Sequence, residues 1–191
     1  MRKFARKRGM LTTSLSAYEV ELLSSLVKQL VELVSDGEPA GFAERPETTD
    51  PFEALVADLQ ADPDEPEASE DPVLKRLFPT AYPHDHAASS DFRRFTERDL
   101  RVQKVGEAQV VLNRLGATAL GAHDLRIPRD EVDAWLRTLT SVRLAVATRL
   151  GISDAEAAEA LNDLPEDDPR SFMVSVYDWL GFAQETMVNA L

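Results

Sequence analysis

The sequence predicts an all-α protein, a single-domain helical bundle of about five or six helices over residues 1–191, with a small N-terminal β-hairpin. Three observations predict it. Apolar residues recur at three- and four-residue intervals along most of the chain, which puts them on one face of a helix. Helix starts are marked by Ser, Asp or Pro with an acidic residue close behind. Strand signals are few: residues 2–4 and 10–15 can form a hairpin around Arg8-Gly9, and a short extended piece fits Leu125–Ile127.

The first helix opens at Ser16-Ala17-Tyr18-Glu19, a capping box in which hydroxyl and carboxylate satisfy backbone donors. Val20, Leu23, Val27, Leu30, Val31 and Val34 form its stripe, and Gly37 stops it. Asp50-Pro51-Phe52-Glu53 repeats the start signal, so Phe52, Leu55, Val56 and Leu59 predict a short amphipathic helix near 51–60. A long helix begins near Ser90 or Asp91, carries Phe92, Phe95, Val102, Val105, Ala108, Val111, Leu112 and Leu115, and ends at Gly116. A linker containing Gly121 leads to Pro128, in the first turn of the next helix, where proline is tolerated. That helix buries Val132, Trp135, Leu136, Leu139, Val142, Val146 and Leu150, and Gly151 closes it. Ser153-Asp154-Ala155-Glu156 starts a short alanine-rich helix to Leu164. Asp168-Pro169 starts the last helix, with Phe172, Val176, Tyr177, Leu180, Met187 and Leu191 inward.

Charge is distributed unevenly. Residues 36–71 hold 13 acidic residues and one basic residue, Arg45, a net of −12 within a chain of −13. Five prolines punctuate the same segment and Pro72 follows directly after it, so it reads as an acidic, largely mobile insertion. It is a solubilising linker in its simplest reading, and a nucleic-acid mimic or a flap over a basic surface in its functional one. The chain has no cysteine, so no disulfide, thiol nucleophile or cysteine metal site exists within it. The basic start resembles the charged end of a signal peptide, but the following residues are too short and polar for an export core. No run approaches the roughly 18 apolar residues of a membrane span. A cytoplasmic protein without membrane contact is expected.

Chemical motifs are sparse. Ala147, Leu150-Gly151-Ile152-Ser153, Ala157 and Leu161 follow the rhythm of a helix-turn-helix. The second helix, however, carries Asp154, Glu156, Glu159 and Asp163 and no Lys or Arg, which opposes the electrostatic attraction that dominates DNA affinity. A helix-Gly-helix corner is the better reading. His84 and His86 could bind zinc, but no firm third and fourth ligand is identifiable. Phosphate-binding loops, dinucleotide fingerprints and Gly-x-Ser-x-Gly are absent from the sequence. No catalytic, cofactor-binding or metal residues are assigned, and an enzyme is not expected.

Two basic clusters are candidate contacts for phosphate or an acidic partner. Arg94, Arg98 and Arg101 fall at i, i+4 and i+7, flanked by Arg93 and Lys104. Arg2, Lys3, Arg6, Lys7 and Arg8 surround Phe4. The simpler reading is a solvated face with ordinary i, i+4 pairing to Glu97 and Asp99. Arg143, in an otherwise apolar helix, needs a carboxylate, and Asp178 is its predicted partner in a structural ion pair.

Four pieces together carry a resemblance. They are Leu77-Phe78-Pro79-x-Ala81-Tyr82, Phe92-Arg93-Arg94-Phe95-Thr96-Glu97-x-Asp99-Leu100-Arg101, Trp135-Leu136-x-x-Leu139-x-x-Val142-Arg143-Leu144 with Arg149-Leu150-Gly151, and Tyr177-Asp178-Trp179-Leu180. In order and spacing the chain resembles an actinobacterial family, known as a domain of unknown function, that includes AosR-type oxidative-stress transcription regulators. The likeness covers most of the chain except the acidic segment. It implies a non-enzymatic regulator acting through a sigma factor or RNA polymerase and promoter DNA. The family mechanism is linked to a Cys-x-x-x-Cys pair, which is missing here, so the resemblance implies a regulator without a thiol redox switch. A protein–protein adaptor with no nucleic-acid contact is the alternative, and a homodimer is compatible with either.

Overall fold

The computed structural model of the chain describes residues 1–36, 69–161, 164–165 and 167–191. The helix expected near 51–60 and the mobility expected of the acidic segment lie outside the described residues. The fold is mostly helical with one small antiparallel sheet, in agreement with the class read from the sequence.

Strand β1 (Ala5–Lys7) pairs with β2 (Met10–Thr13) across a two-residue turn in which Arg8 and Gly9 have φ of 51° and 79°. Positive φ at both central residues matches the twist of a tight hairpin. The pairing therefore sits nearer the turn than the 2–4 strand expected from sequence. A third strand, β3 (Leu125–Ile127), joins the far side of β2, placing Leu11 opposite Ile127 and Thr13 opposite Leu125. Those four side chains are buried, while Arg126 alternates outward.

Helix α1 (Ala17–Asp36) begins as the capping box predicts: Ser16 N donates to Glu19 Oε2 at 2.8 Å, and Glu19 N donates to Ser16 Oγ at 3.3 Å. The Met1 amino group also binds Glu19. Burial on its own would raise the Glu19 carboxyl, but these donors outweigh it and hold the group below its ordinary value. Loop 117–124 lies against this start. At Gly121 (φ 83°) a Cβ would come within 2.5 Å of the Leu15 carbonyl oxygen, so only glycine fits.

Helix α2 (Pro72–Leu77) was not foreseen, although Asp71-Pro72 is a legible start: Asp71 Oδ1 accepts from Val73 N at 2.7 Å, with proline in the first turn. Arg149 Nη2 donates to Asp71 Oδ2 at 2.7 Å, and Arg76 Nη1 to the Ile152 carbonyl at 2.6 Å, clamping α2 to the far end of α4. Helix α3 (His86–Gly116) starts earlier than expected because Asp85 accepts from Ala88 N at 3.0 Å and caps it. A 3-10 turn (Arg129–Glu131) leads into α4 (Val132–Arg149). Helix α5 (Ala155–Ala160) is capped by Asp154, not Ser153. Helix α6 (Ser171–Val188) completes the described elements.

Helix α4 is central, touching α1, α2, α3 and α6, while α1 also packs along α3. Its Trp135 and Leu139 are buried with Val27 and Val34 of α1, Val111 and Leu115 of α3, and Leu180 and Met187 of α6. One departure from the sequence pattern is large. In the first half of α3 the buried residues are Ser89, Glu97 and Arg101, whereas Phe92, Phe95 and Val102 are exposed. From Val105, which packs partly buried against the core, the expected apolar stripe turns inward, and Ala108, Val111 and Leu115 are fully buried.

Candidate interaction surfaces

The cluster on α3 is organised by Glu97, which is 5% exposed. Its Oε1 accepts from Arg101 Nε at 3.0 Å and Nη2 at 2.6 Å, and its Oε2 lies 3.2 Å from Arg93 Nε. One carboxylate thus engages guanidiniums four residues before and four after it, the spacing that makes them neighbours on a helix. Arg101 Nη1 donates to the Val34 carbonyl at 2.6 Å, near the end of α1 where helix carbonyls lack intrahelical donors. Its guanidinium also stacks over Phe78, with Cζ 4.7 Å from the ring centroid, and Lys104 Nζ sits 5.8 Å from the same centroid.

This geometry corrects the expected contact face. Arg101 is 3% exposed and all three of its nitrogens have partners, so it binds α1, α2 and α3 together instead of meeting a ligand. Lys104 is half-buried and donates to Ser141 Oγ at 3.2 Å; burial pushes its ammonium below the ordinary lysine range. Arg93 is engaged by Glu97, and Arg94 stacks on Phe95 with Cζ 5.8 Å from the centroid. Arg98 is half-buried and retains solvent access.

The N-terminal cluster is different. Arg2, Lys3, Arg6, Lys7 and Arg8 are all exposed. Strand pairing adds Arg126, which sequence reasoning missed; the signal was the apolar-basic-apolar order Leu125-Arg126-Ile127, readable once 125–127 is taken as a strand. Asp124 sits among these cations. It accepts from Ser14 Oγ at 2.6 Å, and that bond, with the fields of Lys7, Arg126 and Arg2, holds its carboxyl below the ordinary value despite slight desolvation. Arg6 Nη1 donates to the Leu191 carbonyl at 3.0 Å. Beside it, a cleft of about 510 Å³ between β1 and α6 is lined by Lys3, Phe4, Arg6, Phe182, Glu185 and Asn189.

The predicted Arg143–Asp178 pair is not formed. Asp178 is exposed and has no ion pair among the described residues. Arg143 instead lies over Tyr177, with Cζ 4.6 Å from the ring centroid and Nη2 donating to the Tyr177 hydroxyl at 3.3 Å. The absence of a side chain at Gly181 leaves room for that guanidinium: a Cβ there would be 3.3 Å from Arg143 Nη2. His84, His86 and His123 are exposed, and among the described residues no group of three His, Cys, Asp or Glu is placed to hold a metal ion. No described helix is long and apolar enough to cross a membrane.

What this helical scaffold with its cationic sheet is similar to is clear at the level of family. The chain belongs to DUF2017, a domain of unknown function, whose family match spans residues 1–191. A relative from Mycobacterium leprae (strain TN), provisionally named as the oxidative stress regulator AosR, is 28% identical over 187 residues, covering 91% of this chain and 79% of that protein. No solved structure matches the chain.

Proposed function

We propose that the protein is a non-enzymatic transcription regulator in an oxidative stress response. In this reading it contacts a sigma factor or RNA polymerase, together with promoter DNA, through the cationic surface of the hairpin. The observation that carries the proposal is the similarity, over 91% of the chain, to a relative named as an oxidative stress regulator. Supporting it, Arg2, Lys3, Arg6, Lys7 and Arg8 are all exposed on and beside the hairpin, with Lys7 and Arg126 on the same face of the sheet, while most of the α3 cluster is engaged within the fold. Surface cations of this kind steer association with acidic partners and with phosphate. Because the chain has no cysteine, its signal is not a thiol switch within the chain.

Affinity capture from an actinobacterial lysate, followed by mass spectrometry, tests the reading, and RNA polymerase or a sigma factor is the expected prey. Arg6→Glu with Lys7→Glu should reduce that capture at least about tenfold and flatten its salt dependence. Arg94→Glu with Arg98→Glu should have the smaller effect. Capture that ignores the hairpin reversals sinks the assignment of this surface. A mobility-shift assay at physiological salt separates the adaptor alternative, since only the regulator predicts a promoter-dependent shift.

A further inference from the structure

The sheet ends in an open edge at β1. Positive φ at Arg8 and Gly9 makes a tight turn whose flanking residues, Lys7 and Met10, are hydrogen-bonded to one another. Bonded and non-bonded pairs alternate along an antiparallel ladder, so Ala5 and Thr12 form the next bonded pair. The Ala5 carbonyl does point at β2, where it also accepts from Thr12 Oγ1 at 3.1 Å. Arg6, between them, therefore turns its N–H and C=O away from β2. Neither group has a partner across that edge among the described residues. A cleft of about 510 Å³ runs along this edge. Residues 3–6 all line it, from both faces of the strand, which places the opening at the edge and not over one face. The other wall is one face of α6, where Phe182, Glu185, Thr186 and the capping Asn189 stand at three- and four-residue spacing.

We propose that this slot takes an extended, acidic segment of a partner protein, which adds to β1 as a further strand of the three-stranded sheet. Resting on the reading of the hairpin as the contact surface, strand addition specifies how a protein partner engages it. An incoming strand meets the edge with both donors and acceptors, and Arg6 offers both. Phosphates only accept hydrogen bonds, so DNA matches the side-chain cations but not the edge. Charge selects the segment: Lys3, Arg6, Lys7 and Arg8 stand on or beside the strand, against Glu185 across the slot. Phe182, 36% exposed on the α6 wall, offers an apolar contact. The fitting sequence therefore alternates acidic and apolar residues, as successive side chains of a strand face opposite ways. The same cations exclude a second copy as the occupant. Antiparallel pairing of two β1 edges through Arg6 sets Arg6 against Arg6 or Arg8, or Lys3 against Lys7, and like charges directly opposite are destabilising.

The probe is a capped peptide alternating glutamate with valine and threonine, titrated into the full chain by calorimetry. Binding is expected, and the Arg6 amide should slow in hydrogen exchange once the peptide is present. Two further versions of the peptide, methylated on the glutamate nitrogens or on the others, keep the charge and close one edge each. At least one of them should bind about tenfold more weakly than the parent. Arg6→Pro should weaken binding well beyond Arg6→Gln, since only proline removes the outward N–H. Glu185→Trp, filling the slot from the helix side, should abolish binding, and Glu185→Lys should strengthen it. Thermal unfolding checks that each variant is folded; should Arg6→Pro not fold, the methylated peptides and Glu185→Trp decide on an intact sheet. Methylated versions that both bind like the parent overturn strand addition, leaving a contact made by side chains alone. No binding at about 1 mM peptide overturns it as well. Either failure leaves capture of RNA polymerase through the hairpin cations standing as a separate result. Peptide binding without that capture keeps the added strand and changes only the partner.

Discussion

The five cations of residues 2–8 and the five of residues 93–104 look equivalent in sequence, yet the folded chain uses them in opposite ways. No carboxylate interrupts the first set, whose members stand exposed on and beside a twisted strand. Within the second set stands Glu97, four residues from both Arg93 and Arg101. That one carboxylate converts a candidate docking face into an internal clamp, closed further by Val34 and Phe78. Burial of a guanidinium requires a carboxylate within reach and acceptors for its remaining N–H groups. Only the α3 cluster supplies both.

The most severe way to break this contrast is Glu97→Ala. It strands Arg101 as a buried unpaired cation and should cost about 3–5 kcal/mol. Urea denaturation measures it, and a loss below about 1 kcal/mol would show that the clamp does not hold α1, α2 and α3 together. Gly121→Ala, outside both clusters, should cost more than about 1 kcal/mol, through the strained φ and the contact with the Leu15 carbonyl. By contrast, Lys7→Glu with Arg8→Glu touches exposed side chains and should leave stability within about 0.5 kcal/mol. If unfolding shifts as far there as at Glu97, the two clusters are not distinct in kind.

Much of the fold was legible because it rests on local signals. Ser16 and Glu19 cap α1 as read, Gly116 ends α3, and β3 falls at residues 125–127 as foreseen. What failed was orientation. A helical stripe of Phe92, Phe95 and Val102 predicts an inward face, but periodicity does not see a buried ion pair, and Glu97–Arg101 set the rotation of that half of α3. Arg143 failed for a related reason. Sequence spacing suggested Asp178, whereas the geometry between α4 and α6 offered the Tyr177 ring one residue earlier. The candidate surface was half legible: its basic residues were visible, but which cluster stays open depended on partners in the fold.

A salt-linked carboxylate near the start of α4 makes part of the scaffold's stability depend on pH. Arg114 Nε donates to Glu131 Oε2 at 2.6 Å, and that bond, against a small burial effect, holds Glu131 below its ordinary 4.5. A depressed folded-state pKa contributes stability that is present above the unfolded value and lost as pH falls through the folded one. Glu131→Gln should therefore cost about 1 kcal/mol or less at neutral pH. It should also flatten the decline in stability below pH 4.5, as read by thermal unfolding across an acid series.

The gentlest probe reads the open cluster directly. Asp124 is held below its ordinary 3.8 by the Ser14 hydroxyl first, then by the fields of Lys7, Arg126 and Arg2. Lys7→Glu should raise the Asp124 midpoint in an NMR titration, and Arg126→Glu should do the same, because each replaces an attractive field with a repulsive one. Arg98→Glu, within α3, should leave that midpoint where it is. A midpoint that responds to Arg98 as strongly as to Lys7 would mean that the two clusters form one continuous field, and their separation into an internal clamp and an open surface would fail.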